Sequence, residues 1–205
     1  MRTKWLVATL GTVVLSAGTV QANAYRERGK DAQIADAALT VTPPRDWNRL
    51  SVRPGKFAET WTLDGEQLND VTFYGGVEPG QPLVREVSKK REPLPKFTKA
   101  TLLAEVPELL EGTYRSYKKI GAFTLISAAP ELFLGSPGVL FSYEYTDVDQ
   151  LPRKGEARAT VVSGKLYMAT FDAPRLHYFG HALGDYRALV ATARLGPGPK
   201  AGRGA

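Results

Sequence analysis

The chain contains no cysteine among its 205 residues. This absence excludes disulfide bonds, thiol catalysis, cysteine-ligated zinc and haem attached through cysteine. It also excludes a lipoprotein anchor, which requires a cysteine after the leader. The folded protein must therefore be held together by its hydrophobic core alone.

Long apolar runs are also scarce, and the one that exists lies at the N-terminus. Arg2 and Lys4 precede an uncharged apolar stretch over 6–20, and the small residues Ala22 and Ala24 follow it. This order predicts a cleavable signal peptide over 1–24, with the mature chain beginning near Tyr25 in the periplasm or outside the cell. A retained membrane anchor is the alternative, although the stretch is shorter than the ~20 residues that span a bilayer. No other stretch predicts a membrane span.

The charge balance is mildly basic. The formal net charge is +6, of which Arg2 and Lys4 contribute two, so the predicted mature chain carries +4. A positive balance favours anionic partners, and for an exported chain these are envelope proteins or lipid head groups. Export makes nucleic acid an unfavourable partner.

Composition divides the rest of the chain into three parts. Residues 25–37 are polar and predict a flexible leader, 38–195 predict a single domain, and the Gly- and Pro-rich segment 196–205 predicts a disordered tail. Within the domain, 78–100 holds four prolines and predicts a long exposed connection.

Alternating and helical patterns in the domain predict an α+β fold. Strands on either side of Asp64-Gly65 and of Ser163-Gly164 are typical of hairpins, and hairpins imply an antiparallel sheet. Apolar residues at helical spacing predict helices over 101–119 and 185–195. We therefore predict one antiparallel sheet of six to seven strands with helices on both faces, an α-β-α sandwich.

Several short motifs carry a resemblance to a known group. They are Pro44-Arg45-Asp46-Trp47 after a strand, Gly164-Lys165-Leu166-Tyr167 in a late hairpin, and Ala173-Pro174-Arg175 before a terminal helix. The chain resembles the PsbP proteins of photosystem II and the Ran-binding factor Mog, which share an α-β-α sandwich. It is also similar to uncharacterised exported bacterial proteins through Glu59-Thr60-Trp61-Thr62-Leu63-Asp64-Gly65 and Leu94-Pro95-Lys96-Phe97. Because PsbP-type proteins act by binding and assembly, the resemblance implies a binding or adaptor role.

Two histidines are the weak candidates for a metal site. His177 and His181 are spaced i, i+4, which places both on one face of a helix. The segment lacks the glutamate of the zinc-protease pattern, and a third ligand would have to come from Asp172 or Asp185. We expect these histidines to be structural and expect no cofactor.

Carboxylates offer a second route to catalysis. Glu59 alternates with Phe57 and Trp61 on one strand, and Glu144 lies beside Ser142 on another. If either side chain were buried, desolvation would raise its pKa. The alternative is that each carboxylate is exposed or paired with an arginine, which is more usual for charged residues.

Three functional hypotheses follow. The first is a non-enzymatic binding or adaptor protein of the bacterial cell envelope, with a candidate surface comprising Lys89, Lys90, Arg91, Trp47, Glu59 and Trp61. The second is a periplasmic carrier of a small lipid-like or anionic ligand. The third is a hydrolase built on a carboxylate or the histidines.

Overall fold

A computed structural model describes residues 24–35, 37–87 and 93–196. Its helices are α1 (Val106–Tyr117), preceded by a 3₁₀ turn at Leu103–Glu105, and α2 (Tyr178–Ala191). Its strands are β1 (Ala24–Arg26), β2 (Ala32–Gln33), β3 (Leu39–Val41), β4 (Trp47–Arg49), β5 (Ala58–Thr62), β6 (Asp70–Val77), β7 (Phe123–Phe133), β8 (Ser136–Thr146), β9 (Pro152–Val162), β10 (Lys165–Pro174) and β11 (Arg194–Leu195).

Eight of these strands form one antiparallel sheet in the order β1-β4-β5-β6-β10-β9-β8-β7. The four long strands β7 to β10 follow one another as a meander, whose turns are short enough to join neighbouring antiparallel strands. Strand β10 pairs on its other side with β6, which brings the two halves of the chain together. The remaining strands form a small sheet in the order β11-β3-β2.

The turn between β9 and β10 is the hairpin that Ser163-Gly164 predicts. Ser163 has φ 50° and Gly164 has φ 72°, and Val162 pairs with Lys165 across the turn. Two successive residues with positive φ match the twist of the flanking strands. This prediction is confirmed.

Each face of the eight-stranded sheet carries its own hydrophobic core. Alternate residues of β10 belong to different cores: Leu166 and Met168 face one, while Ala169 and Phe171 face the other. The first core includes α1 and the ends of the 78–100 connection. The second includes α2 and the small sheet.

Helix α1 follows from its apolar stripe and its first turn. Val106, Leu109, Leu110 and Tyr114 are buried at helical spacing. Pro107 lies in the first turn, where its missing N–H removes no intrahelical bond. The stripe fixes which side of α1 faces the sheet. The C-terminal end of the helix lies against β10.

The predicted fold class is wrong. The protein is mostly β, with 17% of the described residues helical and a second, three-stranded sheet beside the eight-stranded one, so it is not an α-β-α sandwich on a single sheet of six to seven strands. Short strands cause the difference. Strands β4 and β11 each have three residues or fewer and carry no alternating pattern that a sequence can display.

The segments predicted to lie outside the domain differ in how much of each the structure describes. Residues 25–37, predicted as a flexible leader, contribute to β1 and contain β2. The predicted signal peptide lies outside the described residues except for Ala24, which begins β1, and of the predicted tail only Gly196 is described. Neither helix in the described ranges is long and apolar enough to cross a bilayer.

Candidate functional site

A wide cleft opens where the segment before β5, the end of β6 and the start of β10 meet the connection between β6 and α1. We call it the basic cleft. Its volume is about 930 Å³, which falls within the size range of small-molecule sites. Its charged lining residues are Arg53, Lys56, Arg85, Glu86, Lys96 and Lys165.

The charge of the basic cleft is unbalanced. Five lining side chains are basic and one, Glu86, is acidic. The Glu86 carboxylate accepts a hydrogen bond from the Leu94 backbone N–H at 3.1 Å, and Lys165 pairs with Glu78 at 3.0 Å. Arg85 and Lys96 form no ion pair with any residue that the structure describes. Among the described residues, the cleft therefore presents positive charge at Arg85 and Lys96 that no ion pair neutralises.

The shape of the basic cleft depends on glycine. The β6–β10 ladder shifts register between Leu166 and Tyr167, and Gly76 lies at this bulge with φ 96°. A Cβ added at Gly76 would lie 3.1 Å from the Tyr167 ring. A bulge of this kind bends the strand and is common beside binding sites.

Glu59, a predicted surface residue, is buried beside the basic cleft at the centre of an arginine cluster. Its carboxylate lies 3.7 Å from Arg26, 4.0 Å from Arg49 and 3.9 Å from Arg53. It also accepts hydrogen bonds from Trp61 Nε1 at 2.8 Å and from the Ala35 N–H at 3.1 Å. Arg53 also lines the cleft, so Glu59 positions one of the cleft's cations.

The other predicted surface residues do not form an accessible patch. Trp47 is 1% exposed and Trp61 is 0% exposed, because both pack into the second core. Lys89, Lys90 and Arg91 lie outside the described residues, but the segments that flank them line the basic cleft. Their part in binding stays a prediction.

A second polar cluster lies on the opposite face of the sheet and was missed by sequence reasoning. Asp172 of β10 pairs directly across the ladder with Asp70 of β6. Asp172 is completely buried and accepts hydrogen bonds from Tyr114 Oη at 2.5 Å, Tyr143 Oη at 3.0 Å and Lys118 Nζ at 3.3 Å. We call this group the aspartate cluster. Through the hydrogen bond from Tyr114 to Asp172, the cluster connects α1 to β10 of the sheet.

Asp70 lies at the edge of the aspartate cluster, in the wall of a cavity of about 290 Å³. Burial raises the pKa of Asp70 to about 6, even though the nearby Lys118 and Arg153 and a hydrogen bond from the Gln67 N–H oppose this rise. The negative charge of Asp172 adds to it. Ionisation of Asp70 above pH 6 therefore lowers the stability of the folded protein.

The raised pKa of Asp70 predicts a pH-dependent effect of Asp70→Asn. The folded protein binds the Asp70 proton more tightly than the unfolded chain does, so wild type loses stability as the pH rises from about 4 through about 6. Asn cannot ionise, and we expect Asp70→Asn to be more stable than wild type at pH 8 by about 1–3 kcal/mol. At pH 4 this gain should be absent.

Urea unfolding of both proteins from pH 4 to pH 8 measures this difference. The account requires the gap between the two free energies of unfolding to grow between pH 4 and pH 6. A gap that stays constant across the range would show that the charge of Asp70 does not cost stability.

His177 and His181 stack on each other, and the described residues place no third metal-ligating side chain with them. Their rings stack with centroids 5.6 Å apart at the start of α2. Asp172 is bound within the aspartate cluster, and Asp185 pairs with Arg45 at 2.9 Å. No group of three metal-ligating side chains occurs among residues 24–35, 37–87 and 93–196.

The two glutamates of the hydrolase hypothesis lie far apart. Glu59 is on β5 and Glu144 is on β8, four strand positions away in the sheet, or about 19 Å at the usual strand spacing. Glu144 contacts Lys154 at 3.9 Å and Arg175 at 3.5 Å. These two carboxylates therefore do not form a catalytic pair with each other, and hydrolysis stays a prediction.

Comparison with known proteins finds likeness in structure only. No family model matches the sequence. No curated protein matches it either. The solution structure of cyanobacterial PsbP from Synechocystis sp. PCC 6803 superposes with a TM-score of 0.53 at 13% identity, covering 89% of this chain and 98% of that one.

Two further structures match at lower similarity. A protein of unknown function from Pseudomonas aeruginosa, a putative regulator, has a TM-score of 0.41 at 12% identity and covers 91% of this chain and 90% of its own. LpqN, which is involved in cell envelope biogenesis of Mycobacterium tuberculosis, has a TM-score of 0.34 at 9% identity with 88% of each chain covered.

The protein thus has a PsbP-like fold, and the resemblance drawn from the sequence motifs is confirmed. At 13% identity this likeness concerns the fold alone, and no binding site of PsbP can be transferred to this chain. Function must therefore be inferred from the protein's own side chains.

Proposed function

We propose that this chain is an exported, non-enzymatic binding protein of the bacterial cell envelope that engages an anionic partner in the basic cleft. The observation that carries the proposal is the cleft itself, in which five basic side chains face one acidic side chain. Export is supported by the predicted signal peptide over 1–24.

The surroundings of the candidate catalytic side chains favour a binding function over a catalytic one. Glu59 and Glu144 each lie beside basic side chains, and the histidines contact one another at the surface. Carboxylates held by basic side chains in this way are suited to structural ion pairing rather than to catalysis.

Charge reversal in the basic cleft tests the proposal. We expect Arg85→Glu/Lys96→Glu to abolish capture of the partner, because the lining then holds three basic and three acidic side chains. Tagged wild type and variant are expressed in the host, crosslinked mildly and purified from the envelope fraction, and the molecules bound to each are quantified by mass spectrometry.

A matched control separates the cleft from overall charge. Lys30→Glu/Lys99→Glu changes the net charge by the same amount, but neither residue lines the cleft. We expect the control to retain its partner. Equal capture by wild type and the cleft variant would contradict the proposal.

A further inference from the structure

Strands β6 and β10 line the basic cleft, and β10 is paired on both sides over 166–172. Strand β6 pairs with β5 on one side and β10 on the other, and β5 pairs with β4. An extended peptide gains affinity by adding to an unpaired strand. Only the short end of β6 after Gly75 lacks a partner in β5 here. A ligand in this cleft must be held mainly by side chains.

The cations of the cleft suit phosphate. Two of them are guanidinium groups, Arg53 and Arg85, and a guanidinium donates two parallel hydrogen bonds to phosphate oxygens. Arg53 contacts Glu59 and Lys165 pairs with Glu78, so Lys56, Arg85 and Lys96 are the lining cations that form no ion pair with a described residue. A doubly charged group matches this surplus better than a single carboxylate does.

Apolar surface lies beside these cations. Phe57 and Tyr167 contribute rings to the lining, and Ala37, Ala38 and Val84 contribute small aliphatic groups. Lys56 Nζ lies 4.9 Å from the centre of the Phe57 ring, so charged and apolar contacts are adjacent. The cleft can therefore contact both an anion and the hydrocarbon attached to it.

We infer that the basic cleft binds the phosphate group of a phosphate ester, with Arg85 and Lys96 contacting the phosphate and the Phe57 and Tyr167 rings contacting the group it esterifies. This inference rests on the proposed function and specifies its ligand. A phosphomonoester lipid head group and a soluble phosphate monoester share this chemistry.

Calorimetric titration of the purified protein with three probes distinguishes the sources. The probes are glycerol 3-phosphate, monomeric dihexanoyl phosphatidic acid, and an octaglutamate peptide. We expect saturable binding of a phosphate probe, and a loss of at least about tenfold in affinity with Arg85→Glu/Lys96→Glu but not with Lys30→Glu/Lys99→Glu.

Each outcome bears on the inference. Tighter binding of the lipid than of glycerol 3-phosphate supports a phospholipid ligand, and equal binding supports a soluble ester. Binding of octaglutamate in preference to both phosphate probes overturns the phosphate assignment, while an anionic partner in the cleft survives. Failure of all three probes, together with a cleft variant that still captures the envelope partner, overturns the proposed function as well.

Discussion

Replacing Asp172 by asparagine should lower the free energy of unfolding by about 3 kcal/mol. The substitution leaves Lys118 without its anion beneath α1, where the ammonium lies 4.0 Å from the centre of the Tyr114 ring. Burial by itself would lower the pKa of Lys118, but the neighbouring charges, of which Asp172 contributes most, together outweigh burial and raise the pKa. Without the charge of Asp172, burial of the Lys118 ammonium is no longer compensated, and the folded state is destabilised.

Lys118 is 30% exposed, so the expected loss falls at the lower end of the range for broken buried ion pairs. Urea unfolding measures it. Glu111→Gln is the matched control, since Glu111 pairs with Arg115 at 2.8 Å on the exposed side of α1 and should lose no more than about 0.5 kcal/mol. If Asp172→Asn lost as little as Glu111→Gln, the aspartate cluster would not stabilise the fold.

Gly155→Ala should destabilise the protein by a similar amount, about 3 kcal/mol. Gly155 of β9 lies opposite both Tyr143 and Asp172 on the neighbouring strands. A Cβ added there would lie 2.3 Å from Tyr143 Cζ. The Tyr143 ring cannot easily move, because its hydroxyl donates to Asp172 and the ring stacks on Phe123 with centroids 5.1 Å apart.

Thermal or urea unfolding again gives the measurement, with Gly184→Ala as the control. Gly184 lies within α2, and a Cβ added there meets no atom within 4 Å. Alanine in a helix is favoured over glycine, so we expect Gly184→Ala to stabilise the protein by up to about 1 kcal/mol. Opposite signs for the two substitutions are required. A loss from Gly184→Ala equal to that from Gly155→Ala would remove the steric explanation.

Local features of the fold could be predicted from the sequence. The turn at Ser163-Gly164 and helix α1 depend on residues that are close together in the chain. Turn chemistry and helical spacing act over this range, and both predictions matched the structure. Leu109 and Leu110, within the helix predicted over 101–119, lie in the first core.

Long-range features could not be predicted in this way. Pairing of β11 with β3 joins residues about 150 positions apart, and Asp70 meets Asp172 across 102 positions. Neither contact leaves a periodic signal in the sequence. The aspartate cluster was missed for this reason, and so was the second sheet that overturned the predicted fold class.

The basic cleft was predicted only in part. The long connection over 78–100 was expected to be exposed, and Arg85 and Lys96 within it line the cleft. The cations themselves come from separate segments, including Arg53, Arg85 and Lys165, that only the folded sheet brings together. For Glu59, alternation predicted the shared face with Trp61 but could not show that β5 is buried on both faces.

The most direct test of the account is an ¹⁵N NMR titration with inorganic pyrophosphate, which maps where an anion binds. We predict saturable shifts of the backbone amides of Gly55, Gly76, Arg85 and Lys165, which line the basic cleft. These shifts should persist in Lys30→Glu/Lys99→Glu and disappear in Arg85→Glu/Lys96→Glu. The account is contradicted if those amides do not shift, or if they shift equally in the cleft variant.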